Sequence, residues 1–257
     1  MAICLSLCLA LPLLVQQPEK ATKPPPPDMP AFKQPGADIV ALDRNNNLWI
    51  DKNPKGRRVI VRATVCRQQA ILEEFMCMKN TKEHEAILAA DIVPRVFHTA
   101  LLAAEAEPGS PAKFDPEFKP PTGERLDITV EWKQDGKVKR AKAQDWMRDV
   151  NTKKPPNFNF VFAGSQEIKN PVTGEMYYLG DEGDLISVTN FAGSIVDMAA
   201  RSSSVDTERL LEAFSERIPP LDTEVFVILK PAADKKAKAT STTPTGKQPA
   251  ATTQKPK

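Results

Sequence analysis

The sequence predicts an α+β domain in which a mainly antiparallel β-sheet packs against a helical hairpin. Three observations support this fold class. Apolar and polar residues alternate from Leu126 to Trp132, as expected of a strand with one solvated face. Asp135-Gly136 follows, which is a type I′ turn signal between two antiparallel strands. Helical spacing is concentrated between residues 80 and 107.

The remaining strands are predicted from short apolar or alternating runs bounded by turn residues. They are Val59–Val65, Val138–Ala143, Asn157–Ala163, Glu175–Leu179, Asp184–Phe191 and Glu224–Lys230. The last of these is apolar without a break from Phe226 to Leu229. Such a run predicts a central strand that is covered on both faces.

The helical hairpin is predicted from two adjacent segments. Asn80 and Glu83 resemble a capping pair, and helical spacing follows at His84, Ile87, Leu88 and Asp91. Pro94 suits the first turn of a second helix. The apolar stripe of that helix is Val93, Phe97, Leu101 and Ala104, and Pro108-Gly109 ends it. A third, short helix is predicted at Asp206–Phe214.

The chain begins with a signal-like leader, residues 1–17. Ile3 to Val15 form a run of 13 residues without a charge, whereas a bilayer span takes about 20 apolar residues. The run suits the apolar region of a secretory signal, although no basic residue precedes it. We therefore expect an exported protein, periplasmic or extracellular, with no transmembrane span in the mature chain.

A proline-rich linker (18–38) with seven prolines between Pro18 and Pro35 precedes one α+β domain (39–230). The basic tail (231–257) has six Lys, one Asp and no large apolar residue, so it is predicted to be disordered. The basic character of the chain therefore belongs to the tail. We expect an unknown envelope protein or polymer as partner and no specific binding of nucleic acid.

Every cysteine and histidine outside the leader lies in one stretch, as Cys66, Cys77, His84 and His98. In an oxidising compartment, two mature cysteines most simply form a disulfide. Cys66 ends one strand and Cys77 ends a segment predicted to run back beside it, which would bring their α-carbons within about 5.5 Å. This predicts a Cys66–Cys77 disulfide.

The alternative is a metal site that uses all four of these residues. Two thiolates and two imidazoles match a tetrahedral zinc site, and the methionines on either side of Cys77 suit copper(I). The spacings match no compact zinc motif. The two histidines also have simpler interpretations. His84 would be a residue at the start of a helix that bonds to a neighbouring carboxylate, and His98 would be a hydrogen-bonded core residue.

Several enzyme classes lack their motifs. His84-Glu85 would need a second histidine at position 88, which is leucine, so a zinc protease is excluded. Ser165 lacks the flanking glycines of a nucleophile elbow. The acidic stretch 180–184 lacks the spacing of a calcium loop and is interpreted as a solvated turn. A cysteine hydrolase would require a free thiol beside a histidine.

Seven short strings occur together and in order. They are Thr81-Lys-Glu-His-Glu-Ala-Ile-Leu88, His98-Thr-Ala-Leu-Leu102, Ala106-Glu-Pro-Gly109, Ala143-Gln-Asp-Trp146, Val161-Phe-Ala-Gly-Ser165, Thr189-Asn-Phe191 and Glu216-Arg-Ile-Pro-Pro220. Over residues 42–230 the chain resembles the YdjY-like domain family of bacterial exported proteins. The resemblance implies one integral domain in which the two cysteines and two histidines match positions typical of the family. It implies no particular activity.

The sequence therefore predicts an exported binding or interaction domain of the cell envelope that is not an enzyme. The Cys66–Cys77 strands and the adjoining helical hairpin form the predicted site. A zinc- or copper-binding or redox function at the four-residue cluster is the alternative, and a cysteine hydrolase is a third hypothesis.

Overall fold

The computed structural model describes residues 38–54, 56–201 and 210–232. The strands in the first half are β1 (Ile39–Ala41), β2 (Leu48–Asp51), β3 (Arg58–Val65), β4 (Ile71–Leu72), β5 (Glu74–Met78), β6 (Ala86–Ala90), β7 (Pro108–Ser110), β8 (Thr122–Gly123) and β9 (Arg125–Gln134). Those in the second half are β10 (Lys137–Lys142), β11 (Met147–Asp149), β12 (Phe160–Phe162), β13 (Glu167–Lys169), β14 (Met176–Tyr178), β15 (Asp184–Ser187), β16 (Val196–Met198), β17 (Leu211–Ala213) and β18 (Glu224–Pro231). The described ranges contain one α-helix, α1 (Pro94–Ala103).

Eight strands form a closed sheet, in the order β3, β18, β9, β12, β16, β15, β5 and β6. The ring closes because β3 pairs with β18 along nearly its whole length, and also with β2 near its start and with β6 at its end, where Thr64 faces Ala89 and Val65 faces Leu88. Most pairs are antiparallel, whereas β5–β6 and β15–β16 are parallel. β10 and the β1–β2 pair extend the sheet outside the ring.

The predicted fold class and its helical hairpin are wrong. The described residues are mostly strand, and the segment predicted as the first helix forms a turn followed by β6. All five residues of β6 are buried, because Ile87, Leu88 and Ala90 pack in the main core and Ala86 and Ala89 pack with Cys77 in a separate small cluster. A helix with one apolar stripe would leave one face exposed, so consecutive burial is the property of a central strand. The Asn80–Glu83 contact does form, but it closes a turn in which Asn80 has a φ of 66°.

The second predicted helix is confirmed as α1, with Pro94 in its first turn. Phe97, Ala100 and Leu101 are its inward residues, and it packs against β2 and β3. The first four residues of the predicted third helix lie outside the described residues, and in the remainder Leu211–Ala213 is strand β17. Outside the described residues also lie the leader, the linker up to residue 37 and the tail beyond residue 232.

Two of the strand predictions are confirmed in detail. The β9–β10 hairpin is confirmed, and both residues of its Asp135-Gly136 turn have positive φ, as a type I′ turn requires. β18 is also confirmed as a central strand. Val225, Val227 and Leu229 face the main core. Phe226 and Ile228 pack on the other face with Trp49 and Ile60, in a second apolar cluster. No helix in the described part of the chain has the length and apolar character needed to cross a membrane.

The two-sided burial of β18 predicts a large effect of mutation. Leu229→Ala removes a fully buried side chain from the main core, and we expect it to lower the free energy of unfolding by about 2–5 kcal/mol. Val138→Ala is the control, because Val138 is 48% exposed on β10 and should change stability by less than about 0.5 kcal/mol. Urea unfolding measures both. Similar losses for the two variants would contradict the position of β18 inside the sheet.

Candidate functional site

The two cysteines lie near each other but on strands that are not neighbours. Cys66 follows the end of β3, Cys77 lies in β5, and both contact a small apolar cluster with Ala86 and Ala89 of β6. Because β6 separates the two strands, the cysteine backbones are two strand spacings apart, roughly 9–10 Å. A disulfide needs α-carbons within about 7 Å. Accordingly, both thiols are free, and the predicted disulfide is not formed.

Both thiols are held in their neutral form. Burial, reinforced by the nearby Glu83 carboxylate, raises the pKa of Cys66 to about 11. Burial raises the pKa of Cys77 to about 12. A protonated thiol is a weak nucleophile and a poor metal ligand, because the thiolate is the reactive form. The surroundings of the cysteines therefore give no support to a cysteine hydrolase.

The two histidines lie in different environments. His84 is exposed, and its Nε2 lies 3.5 Å from the carboxylate of the adjacent Glu85. His98 lies on α1, half-buried against Phe162 and Tyr178. The residues that contact the histidines, Glu85, Phe162 and Tyr178, do not belong to the apolar cluster that contacts the cysteines. Among the described residues, no group of three or more His, Cys, Asp or Glu is arranged to hold a metal ion. The structure thus does not bring the four predicted zinc or copper ligands together.

A cavity of about 310 Å³ lies beside His98. Its lining comes from α1, from the loop that follows β12, and from the β13–β14 hairpin. Arg95, His98 and Thr99 are three and four positions apart on α1, so they share one side of the helix. The other lining residues are Gly164, Ser165, Gln166, Glu167 and Tyr178. We call this cavity the His98 pocket.

A hydrogen-bonded pair forms the floor of the His98 pocket. His98 Nδ1 lies 2.8 Å from the hydroxyl oxygen of Tyr178, and the imidazole packs edge-on against Phe162 with ring centroids 5.0 Å apart. Burial lowers the pKa of His98, and interaction with the backbone of Gly164 partly offsets that shift. A neutral imidazole has one N–H. With that N–H directed at the Gly164 carbonyl, Nδ1 accepts the hydroxyl proton of Tyr178.

Ser165 stands at the edge of this pair in an unusual conformation. Its φ is 56°, a left-handed value that costs a non-glycine residue about 1–2 kcal/mol. Two backbone hydrogen bonds impose it, from Gly164 to Ile195 and from Ser165 to Ser194, each 2.9 Å long. The Ser165 hydroxyl is buried and has no hydrogen-bond partner among the described residues. Strained residues and unpaired buried polar atoms are both enriched at functional sites.

Tyr178 and Arg95 complete the pocket. Burial raises the pKa of Tyr178 to about 12, and its interaction with Ser165 opposes that rise. The Arg95 guanidinium lies 4.7 Å from the centroid of the Tyr178 ring. Arg95 Nε donates to Asp181 at 2.9 Å, and Nη1 lies 3.4 Å from Glu167. The wall of the pocket therefore combines an uncharged phenol with a cation that is already paired.

A second polar centre, which was not predicted from the sequence, is the acid cluster of Glu74, Asp184 and Asp197. These residues belong to β5, β15 and β16, and each is at most 2% exposed. Asp184 was assigned to a solvated turn, but it is buried and paired with Lys82. The only sequence signal was the position of charged residues within otherwise apolar strands.

Two serines and an asparagine hydrogen-bond this cluster. Ser187 donates to Glu74 at 2.9 Å, and Ser194 donates to Ser187 at 2.8 Å. Asn190 donates to Asp197 at 3.1 Å. Burial raises the pKa of both Glu74 and Asp197 well above the usual range, and neighbouring carboxylates raise it further. The cluster thus holds protons that solvated carboxyl groups would lose.

The comparisons with known proteins give one match. The model of the YdjY domain family matches residues 48–230, which is more than half of the chain. No curated protein and no solved structure matches.

The acid cluster predicts a pH dependence of stability. The pKa of Glu74 is higher in the folded than in the unfolded state, so its contribution to stability is complete below about pH 4.5 and is lost as the pH rises through the folded-state pKa. Each unit of that shift corresponds to about 1.4 kcal/mol. Glu74→Gln keeps an acceptor for Ser187 and cannot ionise. We expect this variant to lose less stability than the parent between pH 5 and 8 in urea unfolding.

Glu117→Gln is the control for this experiment, because Glu117 is exposed. It should follow the pH dependence of the parent protein. A Glu74→Gln curve parallel to that of the parent would show that Glu74 is already ionised in the folded state.

Proposed function

This chain belongs to the YdjY domain family, and we propose that it is an exported cell-envelope domain that binds a small ligand, or one group of a larger ligand, in the His98 pocket. The observation that carries the proposal is the Tyr178–His98 hydrogen bond, which lines a cavity of about 310 Å³ that opens to solvent. Cavities with a few convergent polar groups and perturbed pKa values are the usual ligand sites of proteins.

Export is proposed on the sequence. An uncharged apolar run of 13 residues followed by a proline-rich segment is the arrangement of a secretory signal and a spacer. The proline-rich segment would keep the folded domain away from the leader. The partner we propose is an envelope protein or polymer that presents a small polar group to the pocket.

Binding fits the pocket better than catalysis does. A general base needs a free nitrogen within hydrogen-bond reach of its substrate. Here His98 Nδ1 is engaged by Tyr178 and its other side faces Gly164. Ser165 therefore has no direct contact with a free base, and both thiols are protonated. These groups provide fixed hydrogen-bonding partners and no activated nucleophile.

Export predicts a processed N-terminus. We expect N-terminal sequencing of the protein from fractionated cells to give a start after residue 15, and we expect the protein in the periplasmic or extracellular fraction. A mature chain that begins at Met1 or Ala2 and stays with cytoplasmic markers would refute export.

Ligand binding in the His98 pocket predicts a specific effect of the Tyr178 hydroxyl. An enzymatic digest of the cell-envelope polymer, added to the isotope-labelled protein, should shift the amide NMR signals of His98, Thr99 and Ser165. Tyr178→Phe removes the hydroxyl that fixes His98, and it should abolish these shifts while lowering stability by only about 1 kcal/mol.

Tyr177→Phe is the matched control, because Tyr177 is the adjacent residue of β14, is 42% exposed and does not line the pocket. It should leave the shifts unchanged. Shifts that persist in Tyr178→Phe, or that occur only elsewhere on the surface, would place the binding site outside the His98 pocket.

A further inference from the structure

The hairpin of β13 and β14 carries an unpaired sheet edge. The two strands form a sheet of their own, so within the described residues β13 pairs only with β14. All three residues of β13 are exposed, whereas Tyr178 of β14 is buried and contacts His98 of α1. β13 is therefore the outer strand of the hairpin. An exposed strand edge is a template for pairing with another strand.

Two hydrogen bonds fix the ladder of this hairpin. The Leu179 amide donates to the Gln166 carbonyl at 3.0 Å, and the Asn170 amide donates to the Glu175 carbonyl at 2.8 Å. Both pairs lie in the register that continues through β13 and β14. In an antiparallel pair, residues that bond to the opposite strand alternate with residues that do not. The even-numbered residues of β13 and its flanks therefore bond to β14, and the odd-numbered residues do not.

The backbone groups of Glu167 and Lys169 consequently point to the free edge. Ile168 lies between them and bonds to Tyr177, its partner in the register. The N–H and C=O groups of Glu167 and Lys169 are directed away from β14, and they make no backbone hydrogen bond to other described residues. The edge thus presents two donors and two acceptors to a partner strand.

The sequence of β13 is complementary to itself when two copies run antiparallel. With Ile168 on the twofold axis, Glu167 of each copy faces Lys169 of the other. Both of these pairs exchange two backbone hydrogen bonds, and both place opposite charges side by side. Ile168 meets the same residue of the second copy. One register therefore satisfies the free backbone groups, the charges and the apolar side chain together.

The edge strand β10 has the opposite character. It pairs only with β9, and its charged residues are all cations, namely Lys137, Lys139, Arg140 and Lys142. Two copies of β10 would place like charges opposite each other, which disfavours pairing. Cationic side chains on an edge strand are a common protection against association. β13 lacks this protection.

We propose that this chain associates with a second copy through β13, so that two hairpins form one antiparallel sheet in the order β14, β13, β13, β14. The exposed side chains of Ile168 and Tyr177 then form a continuous apolar row with those of the second copy. Because the ladder is three residues long, the dimer is weak and depends on concentration. The pairing also places Lys169 of the second copy beside Glu167, which lines the His98 pocket.

Self-association is measured on the purified protein without ligand, from about 10 µM to about 1 mM. We expect a monomer–dimer equilibrium within this range in sedimentation velocity. Hydrogen exchange locates the interface. At low concentration the Ile168 amide should be better protected than its two neighbours, since it already bonds to Tyr177. At high concentration the amides of Glu167 and Lys169 should gain at least about threefold protection.

Two charge reversals test the register. Lys169→Glu would place anions opposite one another, and Glu167→Lys would place cations opposite one another, so each variant alone should dimerise at least about tenfold more weakly. An equal mixture of the two variants restores opposite charges at both positions and should form a heterodimer about as strong as the parent dimer. Lys137→Glu is the matched control, because it makes the same charge change on the exposed strand β10. It should dimerise as the parent protein does.

Every other outcome overturns the proposal. A protein that stays monomeric at about 1 mM would exclude self-association through this edge. A dimer that neither reversal weakens, or that leaves the amides of Glu167 and Lys169 unprotected, would use another surface. A mixture that stays monomeric would exclude the register centred on Ile168. The exchange measurement needs no variant, so it decides the question even where a variant fails to fold. The inference does not rest on ligand binding in the His98 pocket, and its failure would leave that proposal to be decided by the envelope digest.

Discussion

The pairing of β3 with β6 is the interaction on which the rest of the structure depends. Thr64 and Val65, at the end of β3, meet Ala89 and Leu88 of β6, and this short ladder turns an open sheet into a closed one. Closure removes two sheet edges, whose unpaired backbone groups would otherwise be exposed. It also places β6 between β3 and β5, so β6 has a backbone partner on each side.

The same pairing decides the state of the cysteines. With β6 inserted, the strands that lead to Cys66 and Cys77 are held two spacings apart, and the short side chains of Ala86 and Ala89 fill the space near them. The thiols are then too buried to ionise readily and too far apart in backbone to join without movement of a strand. The two cysteines are therefore close in sequence, but the order of the strands keeps them from forming a common site.

Local patterns were sufficient for elements whose partners are near in sequence. The β9–β10 hairpin follows from its alternation and its Asp-Gly turn, and α1 follows from Pro94 and one apolar stripe. The run Ala86–Ala90 was predicted wrongly because Ile87 and Leu88 fit the spacing of a helix as well as that of a strand. Only the tertiary structure shows that all five residues are buried. Short apolar runs of this kind are ambiguous from periodicity alone.

The candidate site was predicted only in part, for a similar reason. His98 was identified as a candidate, but its partner Tyr178 is 80 positions away, and no local spacing relates the two. Ser165 was examined only as part of a catalytic motif that it lacks. Its left-handed conformation is imposed by backbone hydrogen bonds from Gly164 to Ile195 and from Ser165 to Ser194. Such features arise from tertiary contacts and leave no signature in one sequence.

The two polar centres of the protein, the acid cluster and the His98 pocket, differ in their hydrogen bonding and in their access to solvent. In the acid cluster, Ser194 donates to Ser187 and Ser187 donates to Glu74, and among the described residues of the cluster the one oxygen without a partner belongs to Asp197, which is fully buried. That centre is internally satisfied apart from one atom and has the character of a structural network. At the His98 pocket, the hydrogen-bonded pair of His98 and Tyr178 lines a cavity of about 310 Å³. The residues of the acid cluster are at most 2% exposed, whereas the His98 pocket opens to solvent, so a ligand can reach the pocket without displacing the packing around it.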